Sequence, residues 1–327
     1  MAIRFALRGN PPSPGESVAA SEAAAVGGHG YGGAVPTLQE LTALRSVALG
    51  RRQARHGRFG VTGPALSPMR GRGMEYAESR EYIAGDDARH IDWRLTARTG
   101  RAHTKLFQAE RERLTLVVAD TAASLYFGTR VRFKSVQAAR AGALAAWVAA
   151  DEGDRVCALR GTHHEAPLAP TAGSRGVLRT LDALVRWYRA PPPDDLGLAV
   201  ALQHARRLAR PGSRLVVLAD PASLAGVPDE QWPALSQHHE VVLLLLTDPL
   251  EMQPPATPLP FMAGQSRIEL DLGNPTQRRQ WQATFAEPVR AALAALPARG
   301  IRVQALSTDA PSEAWLPLLG RPRTLGA

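Results

Sequence analysis

Residues 114–128, LTLVVADTAASLYFG, open with an almost wholly apolar run, deliver Asp120, and then turn small and polar before Gly128. A run of this length without alternation is the pattern of a strand buried on both faces, as in a parallel sheet. The next stretch, KSVQAARAGALAAWVAAD (134–151), puts Val136, Ala139, Ala143, Leu144, Trp147 and Val148 on one helical face. Further strands are expected in DRVCAL (154–159), SRLVVLAD (213–220), HEVVLLLLTD (239–248) and IRVQALST (301–308), with RIELDL (267–272) as an edge strand. Between them, helical spacing marks GVLRTLDALVRWYRA (176–190) and DLGLAVALQHARRLAR (195–210), the latter expected to end at Gly212. A short helical stretch near PDEQWPALSQ (228–237) follows. TQRRQWQATFAEPVRAALAAL (276–296) is expected to break or kink near Pro288. Apolar strands alternating with amphipathic helices give an α/β fold, a mostly parallel sheet covered on both faces.

Upstream of this domain, taken as 113–327, the character differs. Residues 1–36 are rich in Gly, Ala, Ser and Pro without periodicity and read as a disordered tail. Residues 37–112 form a smaller N-terminal region. Within it TLQELTALRSVAL (37–49) has helical spacing, whereas residues 50–78 are Gly- and Arg-rich and read as irregular.

The net charge is +9, from 39 basic and 30 acidic residues, and Lys105 and Lys134 are the only lysines. The basic residues are scattered, which weakens a nucleic-acid reading based on the arginines of 51–58 and 70–72. The single cysteine, Cys157, excludes an internal disulfide framework and reads as a buried hydrophobe. The longest apolar run, VVLLLL (241–246), is too short to span a membrane. The N-terminus lacks the apolar core of a signal peptide, so a cytoplasmic protein is expected.

Ligands bind at the carboxyl ends of strands in open α/β sheets, and three strands here end in Asp120, Asp220 and Asp248. No phosphate-binding loop, G-x-S-x-G elbow, H-E-x-x-H or C-x-x-C occurs. The His-His-Glu triplets at 163–165 and 238–240 lie near strand ends, where adjacent residues point to opposite faces, and read as solvated. ADTAASLYFG (119–128) resembles the D-x-S-x-S stretch of von Willebrand factor A domains. That resemblance implies a Mg²⁺ site built from Asp120, Ser124, Asp220 and a second-loop oxygen, for which Asp195 or its neighbour Asp194 is the nearest source. The sequence departs from the pattern at Ala122, which stands where a hydroxyl is expected.

A second motif lies in EYAESREYIAGDDARHIDWRLTARTGRAHTKLFQAERER (75–113). Arg80, Glu81, Tyr82, Gly85, Asp86, Asp87, Arg89, Ile91, Asp92, Trp93, Ala97 and Arg98, with Phe107 and Glu110 downstream, resemble the signature of the bacterial domain-of-unknown-function-58 proteins. The resemblance runs from about residue 38 to the end. It implies a von Willebrand factor A-like, Rossmann-type sheet and no established catalytic activity. It also implies a protein partner, a MoxR-type AAA+ ATPase or its client, and the expected reading is a non-enzymatic adaptor that docks it through the strand-end face around Asp120, Ser124 and Asp220, directly or through Mg²⁺. The residues leave two alternatives open: a metal-dependent hydrolase using Asp120 and Asp220 with Asp86 or Asp87, and a nucleic-acid binder. Locally, Asp86 or Asp87 is expected to cap one short helix on which Ala88, Ile91 and Leu95 share a face. Trp93 then points elsewhere and needs a second surface. The segment is expected to clasp the N-terminal region to the sheet domain, with Arg80 or Arg89 gripping a carboxylate bidentately.

Overall fold

The computed structural model describes residues 33–55, 70–83, 85–108, 113–263 and 266–319. The tail before residue 33, Arg58 and Glu110 lie outside the described residues. Two helices, α1 (Leu38–Ala43) and α2 (Arg45–Arg55), replace the single helix expected over 37–49. Thr37 caps α1 by accepting from the Glu40 N–H.

The central sheet has six strands: β3 (Leu114–Ala119), β4 (Arg155–Arg160), β5 (Thr171–Ala172), β6 (Arg214–Ala219), β7 (Glu240–Thr247) and β10 (Arg302–Ser307). Their spatial order is β10-β7-β6-β3-β4-β5, parallel throughout except for the two-residue edge strand β5. The chain builds one wing outward from β3 and then returns to build the other from β6. The carboxyl ends of β3 and β6 therefore flank the point where strand order reverses, which is where such sheets open a crevice.

Side chains along each strand alternate between two apolar layers. Val117 packs with α4 (Lys134–Asp151), α5 (Gly173–Trp187), α1 and α2, while Leu116 and Val118 pack with α6 (Leu198–Leu208), α7 (Gln231–Ser236) and α9 (Pro275–Ala295). The Trp147 indole N–H donates to the Leu41 carbonyl at 3.1 Å, and Arg140 pairs with Glu40, so α1 is bonded to α4. Cys157 is buried in the second layer, where burial pushes its thiol up to about 12.

Several expectations are corrected. The helix over 195–210 ends at Leu208, and Gly212 instead turns the chain into β6 with φ +88°. The last helix does not break at Pro288, which sits inside the continuous α9. RIELDL does not join the main sheet: β9 (Ser266–Asp271) pairs antiparallel with β8 (Pro258–Ala263) as a separate hairpin. Residues 70–78, read as irregular, lie in the long strand β1 (Arg70–Glu81), paired antiparallel with β2 (His103–Gln108). The register shifts twice along that ladder, so the sequence carries no clean period of two to reveal it. Among the described residues no helix is long and apolar enough to cross a membrane.

The amino edge of the sheet is held by an ion network. Arg113 bonds Glu152 at 2.6 Å and Asp154 at 2.9 Å, and Arg214 bonds Glu152 at 2.7 Å and Glu240 at 3.1 Å. At the other edge the loop after β4 touches the loop before α6 with no room to spare. A Cβ on Gly161 would lie 2.1 Å from the Gly197 carbonyl oxygen, and the Leu196 N–H donates to the Gly161 carbonyl at 2.7 Å. Because the clash is with backbone, Gly161→Ala is expected to destabilise the domain by roughly 1–3 kcal/mol. A urea midpoint that does not move would show that the two loops separate freely.

Candidate functional site

The carboxylates that end β3 and β6 meet directly. The Asp120 carboxylate accepts from the Ala122 N–H at 3.1 Å through Oδ1 and from the Asp220 N–H at 2.9 Å through Oδ2. The hydroxyl of buried Tyr188, the C-cap of α5, donates to the Asp120 carbonyl at 2.9 Å. Asp120 is 1 % exposed. Burial pushes its carboxyl up to about 6 against hydrogen bonds from the Ser223 hydroxyl and the Asp220 N–H.

Asp220 turns its own carboxylate inward. Oδ1 accepts from the Ala222 N–H at 2.9 Å, capping a 3₁₀ turn, and Oδ2 accepts from the Lys134 ammonium at 2.7 Å. Lys134, the first residue of α4, is 1 % exposed and donates also to Glu251 Oε1 at 2.6 Å. Burial opposes its charge, but Asp220 and Glu251 outweigh burial and raise its pKa. Glu251 lies on α8 (Pro249–Met252), where its other oxygen accepts from the Asp248 N–H at 3.0 Å in a capping box. The Trp281 indole of α9 donates to the Leu250 and Glu251 carbonyls and pins that short helix in place.

Asp248 has a different task. Its oxygens accept from the Thr129 hydroxyl and N–H at 2.6 and 2.9 Å, the Thr308 hydroxyl at 2.7 Å and the Leu250 N–H at 3.0 Å. Burial alone would raise its pKa, but these donors hold it below the ordinary value. It joins the β7 end to the loop before α4 and to the end of β10.

Asp195 also reaches the first turn, accepting from the Thr121 hydroxyl at 2.7 Å. Its neighbour Asp194 accepts two bonds from one Arg160 nitrogen, at 3.0 and 2.9 Å, and one from the Thr162 hydroxyl at 2.6 Å, which hold its carboxyl down to about 2. Ser124 is half-buried on the 3₁₀ turn Ala123–Leu125. Thus Asp120 and Asp220 share a hydrogen bond, Asp195 joins the same turn, and Ser124 follows within it. Sequence reasoning missed Lys134 and Glu251. The signal for Glu251 was present, since Asp248 with Glu251 three residues later is a capping-box spacing.

These donors do not suit a resident Mg²⁺. Such an ion needs near-octahedral oxygen ligands, but Ala122 offers no hydroxyl and both Asp120 oxygens already accept backbone N–H groups. An ammonium also occupies the Asp220 carboxylate. At an effective dielectric of ~20, a dication about 5 Å from that ammonium would be repelled by roughly 6–7 kcal/mol.

The signature residues form a second cluster on the β1–β2 hairpin. Its short helical part is two elements rather than one. Asp87 caps the 3₁₀ turn Ala88–His90, Ile91 is extended and bridged to Thr104, and Asp92 then caps α3 (Trp93–Thr99). Asp92 accepts from the Leu95 N–H at 3.0 Å and from the Ser79 hydroxyl at 2.9 Å, which together hold its pKa down. Asp86 accepts from the Ile83 N–H at 3.0 Å and pairs with Arg80 at 2.7 Å, also lowering its pKa. The Tyr82 hydroxyl donates to the Asp86 carbonyl, Gly85 turns the loop with φ +109°, and Glu81 pairs with Arg101. The expected bidentate grip is therefore a single bond from Arg80, whose other terminal nitrogen goes to the Glu81 carbonyl. Trp93, at 69 %, and Ile83, at 63 %, are exposed, as are Arg89, Arg94 and Arg98. Trp93 is thus not packed into a clasp.

A family model described as protein of unknown function DUF58 matches residues 78–291. Uncharacterized proteins of Mycobacterium bovis and Mycobacterium tuberculosis are 32 % identical over 216 residues, covering 65 % of this chain and 67 % of each relative. The family match includes the signature residues 80–98 as well as Asp120, Lys134, Asp220 and Glu251.

The raised carboxyl of Asp120 makes a pH prediction. A carboxyl whose folded pKa lies above its ordinary 3.8 binds its proton more tightly when folded, so its contribution to stability falls as pH rises from about 4 to about 6. The total loss is of order 2–3 kcal/mol. Glu251, pushed up to about 6 chiefly by burial, adds a smaller loss of the same sign. Asp120→Asn should flatten the decline of the urea midpoint over this range relative to wild type. Parallel pH profiles for the two proteins would refute it.

Proposed function

This chain belongs to the DUF58 family of proteins of unknown function, and on that footing we propose that it is a non-enzymatic accessory protein that docks a protein partner. The observation that carries this reading is Trp93, 69 % exposed on a backbone fixed by the caps and ion pairs of its own segment. A large aromatic left in water on a rigid support supplies binding area at little cost in conformational freedom, and tryptophan is prominent among interface hot spots. Ile83 adds apolar area, while Arg94 and Arg98, one turn apart on α3, ask for carboxylates around the pocket that receives the indole.

The partner we assign is a MoxR-type AAA+ ATPase, acting with this protein in the assembly or activation of clients. The sheet supports the scaffold half of the reading. Counted along the chain, its strands lie in the order 3-2-1-4-5-6 of doubly wound nucleotide-binding sheets, with a short antiparallel edge. We read it as a von Willebrand factor A-like domain. The burial of Asp120 and Asp220 favours the signature face over the strand-end carboxylates as the primary contact.

Binding to a purified MoxR-type ATPase encoded in the same genome tests the proposal. Trp93→Ala should weaken binding about tenfold or more. The thermal midpoint should barely change, because exposed substitutions stay within about 0.5 kcal/mol. Affinity unchanged in both Trp93→Ala and Ile83→Ala would remove this face from the interaction.

A further inference from the structure

We infer that Lys134 is the resident cation of the strand-end cluster: its ammonium does for Asp220 and Glu251 what a divalent ion would do, and so closes the crevice to Mg²⁺. Three observations carry this. The first is geometric. One nitrogen, out of contact with water, lies 2.7 Å from Asp220 Oδ2 and 2.6 Å from Glu251 Oε1, joining the end of β6 to α8 as a bridging ion joins two ligand loops.

The second is compositional. Among 39 basic residues only two are lysines, and one of them stands here. A compact point charge fits between two converging oxygens, whereas a planar guanidinium fork needs a wider, flatter slot. The third is positional. Lys134 opens α4, whose N-cap, Phe133, provides no side-chain acceptor. A helix N-terminus already bears positive potential and is the unfavourable end for a cation. The ammonium is stable there because two carboxylates face it, and the helix end adds its own field to the same pair.

The consequence reaches beyond the docking proposal and does not depend on it. The strand-end cluster of this chain is charged from within by Lys134, so any partner contact at the strand ends is independent of divalent metal. Removing the ammonium should leave Asp220 and Glu251 as two buried carboxylates without a counter-charge, able to take a cation between them.

Mn²⁺ titration followed by electron paramagnetic resonance, with thermal midpoints taken in EDTA and in Mn²⁺, tests this on the full chain. Wild type should show no saturable site, and its midpoint should be the same in both buffers. Lys134→Ser should melt lower in EDTA, take up a single Mn²⁺ saturably where wild type takes up none, and regain midpoint on binding. Lys134→Ser combined with Glu251→Gln should lose that uptake. Saturable binding of one Mn²⁺ by wild type, abolished in Asp120→Asn, would overturn the inference. So would a folded Lys134→Ser that takes up none. If Lys134→Ser does not fold in EDTA, the wild-type titration decides alone.

Discussion

A charged ammonium out of reach of water is tolerated only where opposite charge meets it at hydrogen-bond distance. The carboxyl edge of this sheet is arranged around that requirement. Lys134 meets Asp220 across 86 residues of sequence and Glu251 across 117. Neither meeting is possible unless β6 lies beside β3, β7 beside β6, and α4 returns to the carboxyl end of the sheet. Strand order and ion pairing therefore require each other. A chain that placed β6 on the wrong side of β3 would leave the lysine and two acids buried without partners, a cost of several kcal/mol for each uncompensated ion.

The opposite edge solves a similar problem with different chemistry. There Arg113, Arg214 and Arg302 share Glu152, Asp154 and Glu240. Planar guanidinium groups can bridge several carboxylates at once and remain only weakly hydrated while doing so. The amino edge thus uses forks spread across neighbouring strands, and the carboxyl edge uses one point charge held between two loops. The first arrangement registers strands. The second fixes the turn that carries Asp220 and the short helix that carries Glu251, the parts of the sheet nearest the crevice.

Most of the sheet was legible in the sequence because its strands are continuous apolar runs such as LVVLA (215–219) and VVLLLL (241–246), and only burial on both faces calls for such runs. The convergence of Asp120 and Asp220 followed from the same reasoning. The less regular elements left no such trace. β1 carries charges and register shifts in place of alternation, and the two-residue β5 is too short to have a pattern. Ile91 falls at a helical spacing from Leu95, yet its backbone is extended and bridged to Thr104, because Asp92 rather than Asp87 starts the next helix. Lys134 escaped notice for a related reason. At the first position of an amphipathic helix a lysine reads as solvated, and its burial depends on two partners that local sequence does not place beside it.

The signature segment follows the same rule of charge placement on a smaller scale. Asp86 is committed to Arg80 and the Ile83 N–H, Asp87 and Asp92 each cap a turn, and Glu81 holds Arg101. A loop with so many charges would ordinarily be solvated and mobile; here the acids are spent on fixing backbone N–H groups and neighbouring arginines. What they fix in place is Trp93. An indole on a mobile loop would lose much of its binding energy to ordering, whereas one presented by a capped helix at the end of a hydrogen-bonded hairpin has that ordering built in. Charges and an exposed tryptophan occur together because the former hold the latter ready.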